Sequence, residues 1–452
     1  MTPREIAKLD RELGAYLDHF VDGLGRPERR EALRWYMTGL LLDGDRKSIA
    51  PMAGRLVDAV DEVEAMRQRL QQAVVVATWS DAEVLARLAR KFDKELPGVE
   101  AFVIDDTGFA KKGDHSVGVQ RQYSGTLGRV DNCQVAVSLH LAGEQGSGMI
   151  GYRLFLPESW TTDRVRRTRA GVPDDISSAT KGSLALAQLD AALAAGVRRH
   201  VVLADAGYGD STEFREALTQ RNLHYVVAVN GEPIVWPPGS NPQIPPKPRG
   251  MTGRPRASHR DDNHPPITLK LLVPTLQFRT VKWREGSRGW QGGRFAAVRV
   301  RTAHGHKKGT APGAEQWLLC QQTGNAKAPY KQWFSTLPAT TSIATLVRLA
   351  KLRWRVERDY QELKGELGLD HFEGRTWRGF HHHGTLCAVA HGFLALRRAL
   401  FPPEESAMDA ADGSQRHATD PTATHRHVPV MPSFRPQTSS ATRSVANVIK
   451  SY

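Results

Sequence analysis

Two stretches of this 452-residue chain place aspartates where a predicted strand meets glycine. AFVIDDTG puts Asp105 and Asp106 before Gly108, and HVVLADAG puts Asp205 before Gly207. A carboxylate at the carboxyl end of such a strand faces the crevice where α/β sheets bind ligands. If the two strands are neighbours, Asp105 and Asp205 repel each other, and a hard cation such as Mg²⁺ or Mn²⁺ relieves the repulsion. The alternative interpretation is that each aspartate caps a turn or a helix.

A third carboxylate lies in the predicted helix that contains KLRWRVERDYQELKGELG. Because successive helical residues turn by about 100°, Arg353, Glu357 and Lys364 fall within roughly 40° of one another. A carboxylate flanked by two cations on one face could complete a metal site while the cations hold phosphates. The alternative is a surface helix in which Arg353 and Glu357 form an ordinary ion pair.

The elements that must position these residues follow a mixed α/β pattern. Residues 1–95 show apolar residues three or four apart, which predicts a small helical domain. Over 96–230 we expect the strands AFVID, CQVAVSLHL, YRLFL, HVVLAD and HYVVAV, and the helices KGSLALAQLDAALAAG and DSTEFREALTQR. Later in the chain the periodicity predicts the strand EQWLLC, one long helix over 342–367 and an apolar helix over 384–399.

Positive charge is concentrated in one segment. The chain has 62 Lys and Arg against 48 Asp and Glu, a net charge of +14. Residues 231–310 contain fifteen of these basic residues and four of the acidic ones, which accounts for +11 of the excess. Such a segment favours a polyanionic partner, because neutralised phosphates release counterions. It begins rich in proline and glycine, and its runs LKLLV, FRTVKW and FAAVRVR alternate as strands do.

Other classes of protein are disfavoured. No apolar run approaches the ~18 residues that cross a bilayer, so we expect a cytoplasmic protein without a membrane partner. Lys-Lys-Gly occurs at 111–113 and at 307–309, but neither follows the glycine spacing of a nucleotide-binding loop. No bound nucleotide is therefore expected. The three cysteines lie far apart and predict buried thiols. Residues 402–452 have few large apolar side chains and are expected to be disordered.

Five stretches, in a fixed order, resemble the DDE-type bacterial insertion-sequence transposases. They read RPERREALRWYMTGLLLDGDRKSIAPMA, VIDDTGFAKKGDHSVGVQRQYSGTLGRVDNCQVAVSLHLA, YRLFLPESW, VVLADAGYGD and RLAKLRWRVERDYQELKGELGLDHFEGRTWRGFHHHGTLC. The resemblance covers about residues 25–402. It implies a ribonuclease H-like mixed sheet with helices, interrupted by a β-rich insert, plus an N-terminal helical domain. The expected units are a helical domain (1–95), the first part of the core (96–230), the basic β-rich insert (231–335), the second part of the core (336–401) and the tail (402–452).

The resemblance also implies the chemistry. Asp105, Asp205 and Glu357 are the expected catalytic residues and hold two Mg²⁺ or Mn²⁺ ions, with Asp106 as the alternative to Asp105. The implied activity is cleavage at transposon ends and strand transfer to target DNA, by a homodimer on paired inverted repeats. Two other functions stay open: a transposase-derived protein that only binds DNA, and a plain metal-dependent nuclease.

DNA contacts are expected in three places. The resemblance also supplies a signature around the glutamate: tyrosine, two residues, arginine, three residues, glutamate, six residues, lysine. Arg353, Glu357 and Lys364 fit this spacing, whereas Ala350 occupies the tyrosine position. Arg353 and Lys364 are expected to clamp phosphates. In the basic insert, we expect backbone contacts or base stacking from Lys247, Arg249, Arg254, Arg256, Arg260, Trp283 and Trp290. In the helical domain, the candidates for binding inverted repeats are Arg29, Arg30, Arg34, Arg46 and Lys47, around Trp35 and Tyr36. The alternative there is an ordinary surface with a core tryptophan.

Overall fold

The computed structural model describes residues 2–230, 233–243, 249–250, 252–253, 265–286, 289–304, 312–324 and 330–401. The expected tail, 402–452, lies outside the described residues. The three cysteines are buried, as predicted. Across these ranges, no helix is both long enough and apolar enough to cross a membrane.

The N-terminal part is helical, as predicted. Its helices are α1 (Pro3–Val21), α2 (Pro27–Leu41), α3 (Ile49–Leu56), α4 (Val63–Gln71) and α5 (Asp81–Glu95). Helix α1 begins with a capping box, in which Thr2 and Glu5 each accept a hydrogen bond from the other's backbone N–H. Ser80 caps the start of helix α5, because its side chain accepts from the N–H of Glu83.

One mixed sheet runs through the described residues and contains twelve strands. They are β1 (Val99–Ala110), β2 (Gln120–Ser124), β3 (Arg129–Gly143), β4 (Ser147–Leu154), β5 (Val201–Ala204), β6 (Tyr225–Val229), β7 (Ile234–Trp236), β8 (Ile267–Thr268), β9 (Arg279–Arg284), β10 (Trp290–Thr302), β11 (Glu315–Gln322) and β12 (Tyr330–Ser335). The order is β2, β3, β1, β5, β6, β12, β11, β10, β7, β8, with β4 also pairing with β3 and β9 with β10. Strand β5 is parallel to both β1 and β6. This mixed α/β architecture confirms the predicted fold class.

The strands of the predicted insert extend the core sheet. Strand β12 pairs antiparallel with β6, so the sheet continues across the expected boundary after residue 230. The prediction of a strand at LKLLV is wrong, since Leu269–Leu272 is a helix (α11) followed by one 3₁₀ turn. Leu269, Leu272 and Val273 are buried, and spacings of three and four residues put them on one helical face.

Helices flank the strands. Between β4 and β6 lie α6 (Glu158–Thr161), α7 (Arg164–Ala170), α8 (Lys181–Ala194), α9 (Ala206–Gly209) and α10 (Thr212–Gln220). The predicted single helix over 342–367 is two helices, α12 (Ile343–Leu352) and α13 (Trp354–Gly365), interrupted at Arg353. The last helix, α14 (Trp377–Leu400), begins seven residues before the predicted start.

Helix α14 joins the N-terminal helices to the sheet. It packs against β4 on one side and against α2 and α5 on the other, so nearly all of its residues are buried. Two tyrosine hydroxyls reach it from the N-terminal helices: Tyr16 Oη donates to the Val389 carbonyl at 2.9 Å, and Tyr36 Oη lies 2.8 Å from His383 Nδ1. The helical part and the core therefore share one hydrophobic interior.

Candidate active site

The register of two parallel strands brings the two aspartates level. Ile104 of β1 lies opposite Ala204 of β5, and the next residues are Asp105 and Asp205. Strand β5 ends at this point, which opens a crevice beside β1. The turn after β5 requires glycine, because a Cβ at Gly209 would lie 1.9 Å from the Ala228 carbonyl oxygen of β6.

Strand β1 does not end at Asp105, contrary to the sequence prediction. It continues to Ala110, because β3 remains paired with it from Ser138 opposite Asp105 to Cys133 opposite Ala110. Asp105 is thus held in the middle of a long strand, at the level where its other neighbour stops. By contrast, Asp205 combines both interpretations of the sequence: it caps the one-turn helix α9, where its Oδ1 accepts from the Gly207 N–H at 2.9 Å, and it lines the crevice.

Glu357 reaches the same crevice from the first turn of α13. Arg353 connects it to β1, because its guanidinium donates to Asp105 Oδ2 at 2.9 Å and to Glu357 Oε1 at 3.0 Å. The crevice has a volume of about 490 Å³. Its lining residues are Asp105, Asp106, Gly125, Thr126, Asp205, Arg353, Glu357, Tyr360, Gln361 and Lys364. The three carboxylates singled out in the sequence therefore meet in one place.

Burial and like charge make the crevice electrostatically unusual. Burial raises the pKa of Asp105 to about 7; Arg353 opposes this shift and the neighbouring Asp205 adds to it. The side chain of Glu357 is 60% exposed, so it faces solvent at the crevice mouth. A further positive charge in the crevice would therefore stabilise the ionised form of Asp105.

The donor set suits a hard divalent cation, because carboxylate oxygens are the ligands that Mg²⁺ and Mn²⁺ prefer. Among the described residues, no three His, Cys, Asp or Glu side chains are grouped closely enough to hold a metal ion as they stand. Instead, the Arg353 guanidinium bonds both Asp105 and Glu357 and supplies the positive charge between them. The carboxylates fit a divalent cation in chemistry and charge.

Asp106 also lines the crevice, but it is already paired. Its Oδ2 accepts from Lys181 Nζ at 2.8 Å, and Lys181 begins α8. Neighbouring residues of a strand point to opposite faces, so Asp105 is the one directed toward α13. This geometry favours Asp105 over Asp106 as the partner of Asp205 and Glu357.

Lys364 lies at the edge of the crevice. Its Nζ donates to the Gly108 carbonyl at 2.9 Å and lies 4.9 Å from the centre of the Phe109 ring. Its side chain lines the same crevice as the three carboxylates.

A second cleft extends from the carboxylates toward the strands of the predicted insert. It shares Asp205, Arg353 and Glu357 with the crevice, and its other walls include Lys270, Lys331, Trp333, Lys351 and Trp354. Of the predicted insert contacts, Lys247, Arg254, Arg256 and Arg260 lie outside the described residues. Arg249 is exposed and Trp290 is 73% exposed.

Trp283 does not fit its predicted role. The side chain is 8% exposed and packs edge-on against Phe295, with the Lys351 ammonium 5.0 Å from its ring centre. Its indole N–H donates to Glu285 at 3.1 Å. Because both ends of the side chain are engaged in the interior, no face is free to stack on a base.

Two of the N-terminal candidates are also interior residues. Lys47 is 5% exposed, and its Nζ donates to the carbonyls of Leu40 and Leu42 at the end of α2. Tyr36 is 1% exposed and contacts His383. Trp35 is partly buried against the core. The remaining candidates lie nearer the surface. Arg29 donates to the Leu24 carbonyl, and Arg30, Arg34 and Arg46 form ion pairs with Asp22, Asp18 and Glu373, respectively.

The geometry can be compared with known proteins. A family model described as a DDE superfamily endonuclease matches residues 19–290, more than half of the chain. This chain belongs to the DDE superfamily endonucleases. The matched region of this DDE endonuclease includes Asp105 and Asp205, whereas Glu357 lies beyond it. Glu357 is therefore joined to the two aspartates by the geometry of the crevice.

A relative of this DDE endonuclease carries a more specific description. The probable transposase for insertion sequence element IS701 from Microchaete diplosiphon is 29% identical over 208 residues, which is 45% of this chain. The chain spans 50% of the length of that curated relative.

Sequence reasoning missed Tyr360 and Gln361 among the lining residues. Tyr360 is three residues after Glu357 on α13, a spacing that places both on one helix face. Helical periodicity was a sufficient signal for this residue. Thr126 of the β2–β3 turn, whose Oγ1 accepts from the Gly108 N–H at 3.3 Å, had no such local signal.

Proposed function

We propose that this chain is a transposase that cleaves DNA at transposon ends and transfers the freed strand to target DNA. The observation that carries the proposal is that Asp105, Asp205 and Glu357, from three separate elements, line one crevice. The family of the chain and its insertion-sequence relative support the same chemistry.

Asp105, Asp205 and Glu357 would hold two Mg²⁺ or Mn²⁺ ions. Bound ions of this kind activate the attacking oxygen and stabilise the leaving oxygen in a displacement at phosphorus. Asp205 is already oriented by the Gly207 N–H, and Asp105 by its place in a paired strand. The raised pKa of Asp105 supports this assignment, because a site that disfavours a carboxylate charge gains from a cation.

Arg353 has two tasks in this proposal. Without a metal ion it neutralises Asp105 and Glu357. With a divalent cation bound by those carboxylates, the planar Arg353 guanidinium would be free to bind a phosphate through two N–H groups. Lys364, held near the crevice by the Gly108 carbonyl, supplies a second phosphate contact.

The reaction then consists of two displacements. Water attacks the phosphorus at the transposon end, and the bond to the 3′ oxygen breaks to leave a 3′-hydroxyl. That hydroxyl attacks a target phosphodiester, one phosphorus–oxygen bond forms, and another breaks. In each step one oxygen replaces another on a phosphorus atom of the DNA, so the reaction consumes no ATP or other nucleotide.

The DNA is expected to lie across the crevice and the basic cleft beside it. Lys270, Lys331 and Lys351 line that cleft. The basic segment 245–260 lies between β7 and β8 in the sequence. Deleting residues 245–260 should reduce the dependence of DNA affinity on salt, because fewer phosphates are neutralised. An unchanged salt dependence would count against this segment. The N-terminal arginines are the proposed contacts to the inverted repeats, made by a homodimer on paired ends.

Cleavage and joining assays with Mg²⁺ test the proposal. We expect Asp205→Ala and Glu357→Ala to abolish cleavage of end DNA while DNA binding is retained. Glu366→Ala, an exposed glutamate just after α13, is the control and should keep full activity. Retained cleavage in either carboxylate variant would contradict the site assignment.

A second assay with pre-cleaved ends and a plasmid target separates the other functions. Joining of the ends supports a transposase. Cleavage without joining identifies a plain nuclease, and binding without either reaction identifies a DNA-binding derivative.

A further inference from the structure

A chain of buried hydrogen bonds connects the glutamate helix to the strand beside Asp105. Tyr360 Oη lies 2.6 Å from Ser138 Oγ, which lies 2.9 Å from His140 Nε2. His140 Nδ1 lies 2.6 Å from Asp359 Oδ2, and Ser147 Oγ donates to the other oxygen of Asp359 at 2.6 Å. Four of these side chains are almost fully buried, with exposures of 0% for Ser138 and His140, 3% for Asp359 and 9% for Tyr360.

The hydrogen bonds can all be donated in the same direction, from Tyr360 toward Asp359. When His140 Nδ1–H donates to Asp359, its Nε2 accepts from the Ser138 hydroxyl. Ser138 Oγ is then left to accept from the Tyr360 hydroxyl. Every donor has an acceptor, and the chain ends on a buried carboxylate.

The two ends of the chain lie beside two of the proposed catalytic carboxylates. Ser138 is the antiparallel partner of Asp105, so the two side chains project from the same face of the sheet. Tyr360 is one helical turn after Glu357 and lines the same crevice. The chain therefore spans the gap between the strand of Asp105 and the helix of Glu357.

Apolar side chains could hold α13 against the sheet without the free-energy cost of burying polar groups. Burying polar groups is favourable only when each is paired, and well-packed apolar replacements are often as stable. Short hydrogen bonds, however, accept one relative placement, whereas apolar side chains tolerate sliding. Helix α13 needs such a restraint, because it is interrupted from α12 at Arg353 and Glu357 lies in its first turn.

We propose that the series Tyr360, Ser138, His140 and Asp359 is a positioning device that sets Glu357 against Asp105 and so tunes divalent-cation binding in the crevice. The inference rests on the proposed function for its cation, but the placement of the helix can be measured without one. Tyr360 and its partners are positioning residues and take no part in bond making.

Tyr360→Phe tests the device, because it removes one hydroxyl and keeps the ring. The matched control is Tyr36→Phe, which removes another buried hydroxyl, bonded to His383 and away from the crevice. Both variants of the full-length chain should lose similar amounts of thermal stability. Only Tyr360→Phe should increase hydrogen exchange of the α13 amides, by about fivefold for one lost hydrogen bond. Ser138→Ala should have the same effect.

Mn²⁺ alone is the probe for the crevice, with free Mn²⁺ measured by electron paramagnetic resonance. We expect Tyr360→Phe to weaken Mn²⁺ binding about tenfold, as loss of a group that orients a ligand does, and Tyr36→Phe to leave it unchanged. Equal α13 exchange in the two tyrosine variants would overturn the inference. If the wild-type chain binds no Mn²⁺, the proposed metal centre fails, and the exchange measurement alone decides whether α13 is positioned by this chain.

Discussion

Two glutamates on α13 have the same chemistry and opposite surroundings. Glu362 is 10% exposed and accepts hydrogen bonds from Arg358, His391 and Arg398. Glu357, five residues earlier, is 60% exposed and bonds Arg353, an arginine that it shares with Asp105. One carboxylate is surrounded by donors, and the other faces a crevice with two further carboxylates.

The pKa values follow that difference. Burial acts to raise the pKa of Glu362, but the hydrogen bonds from His391 and Arg398 outweigh it and hold that pKa well below its ordinary value. In the crevice, the effect of burial is larger than that of the Arg353 charge, so the pKa of Asp105 rises to about 7. A satisfied carboxylate stabilises the fold, whereas an under-compensated group of carboxylates is suited to bind a cation.

The largest expected effect separates the two glutamates by activity. Glu357→Gln keeps the shape of the side chain and removes its charge, so we expect end cleavage to fall by about a thousandfold or more, roughly 4 kcal/mol in the barrier. Glu362→Gln should cleave at close to the wild-type rate at a temperature where it is folded. Rates measured with saturating Mg²⁺ check both, and equal losses would remove the functional distinction.

Stability should show the reverse order. Glu362→Ala removes the carboxylate that buried His391 and partly buried Arg398 contact, so we expect the free energy of unfolding to fall by about 3 to 5 kcal/mol. Glu357→Ala removes an exposed ion pair, and the change should stay below about 1 kcal/mol. Denaturant unfolding of both variants provides the measurement. A large loss in Glu357→Ala would mean that the crevice is held together by its ion pairs.

The pH dependence of stability sharpens the comparison further. The folded-state pKa of Glu362 is below its unfolded value of 4.5, so its contribution is fully present above about pH 4.5 and is lost as the pH falls toward the folded pKa. The groups that face it are Arg358 on its own helix and His391 and Arg398 on α14. Unfolding free energies from pH 7 to pH 3 should therefore decline less steeply in Glu362→Gln than in the wild type. Parallel curves would show that Glu362 titrates normally in the fold.

The smallest expected effect concerns Arg353. Removing it in Arg353→Ala takes away the cation shared by Asp105 and Glu357, so added Mg²⁺ should stabilise this variant more than the wild type, by about 1 kcal/mol. Thermal unfolding midpoints with and without Mg²⁺, in the absence of DNA, measure this difference. Arg34→Ala, which removes an exposed pair with Asp18, is the control and should respond as the wild type does. An identical response of Arg353→Ala would argue that the arginine does not stand in for a metal ion.

Local sequence patterns were enough to predict where several of the crevice residues lie. A short apolar strand followed by Asp-Ala-Gly correctly located Asp205 at a strand end, and the helical repeat correctly put Arg353, Glu357 and Lys364 at one crevice. These predictions succeed because they depend on residues within one element, where backbone geometry alone orients the side chains.

Predictions that depended on distant partners failed more often. Trp283 and Lys47 are residue types that often contact DNA, yet packing against other segments buries both. The interruption at Arg353 was also missed, since the apolar repeat runs through it. The extension of β1 past Asp105 was missed for a related reason: it depends on pairing with β3, about thirty residues away.

By itself, the sequence determined the residue types, their order, the faces of the helices and the placement of most of the positive charge. Tertiary structure alone decided which carboxylates meet, which glutamate of α13 is satisfied, and how Tyr360 connects through Ser138 and His140 to Asp359. The physical reason is range. Periodicity is a property of neighbours along one element, whereas the pairing, burial and charge that select a site are set by residues brought together only when the sheet and α13 pack.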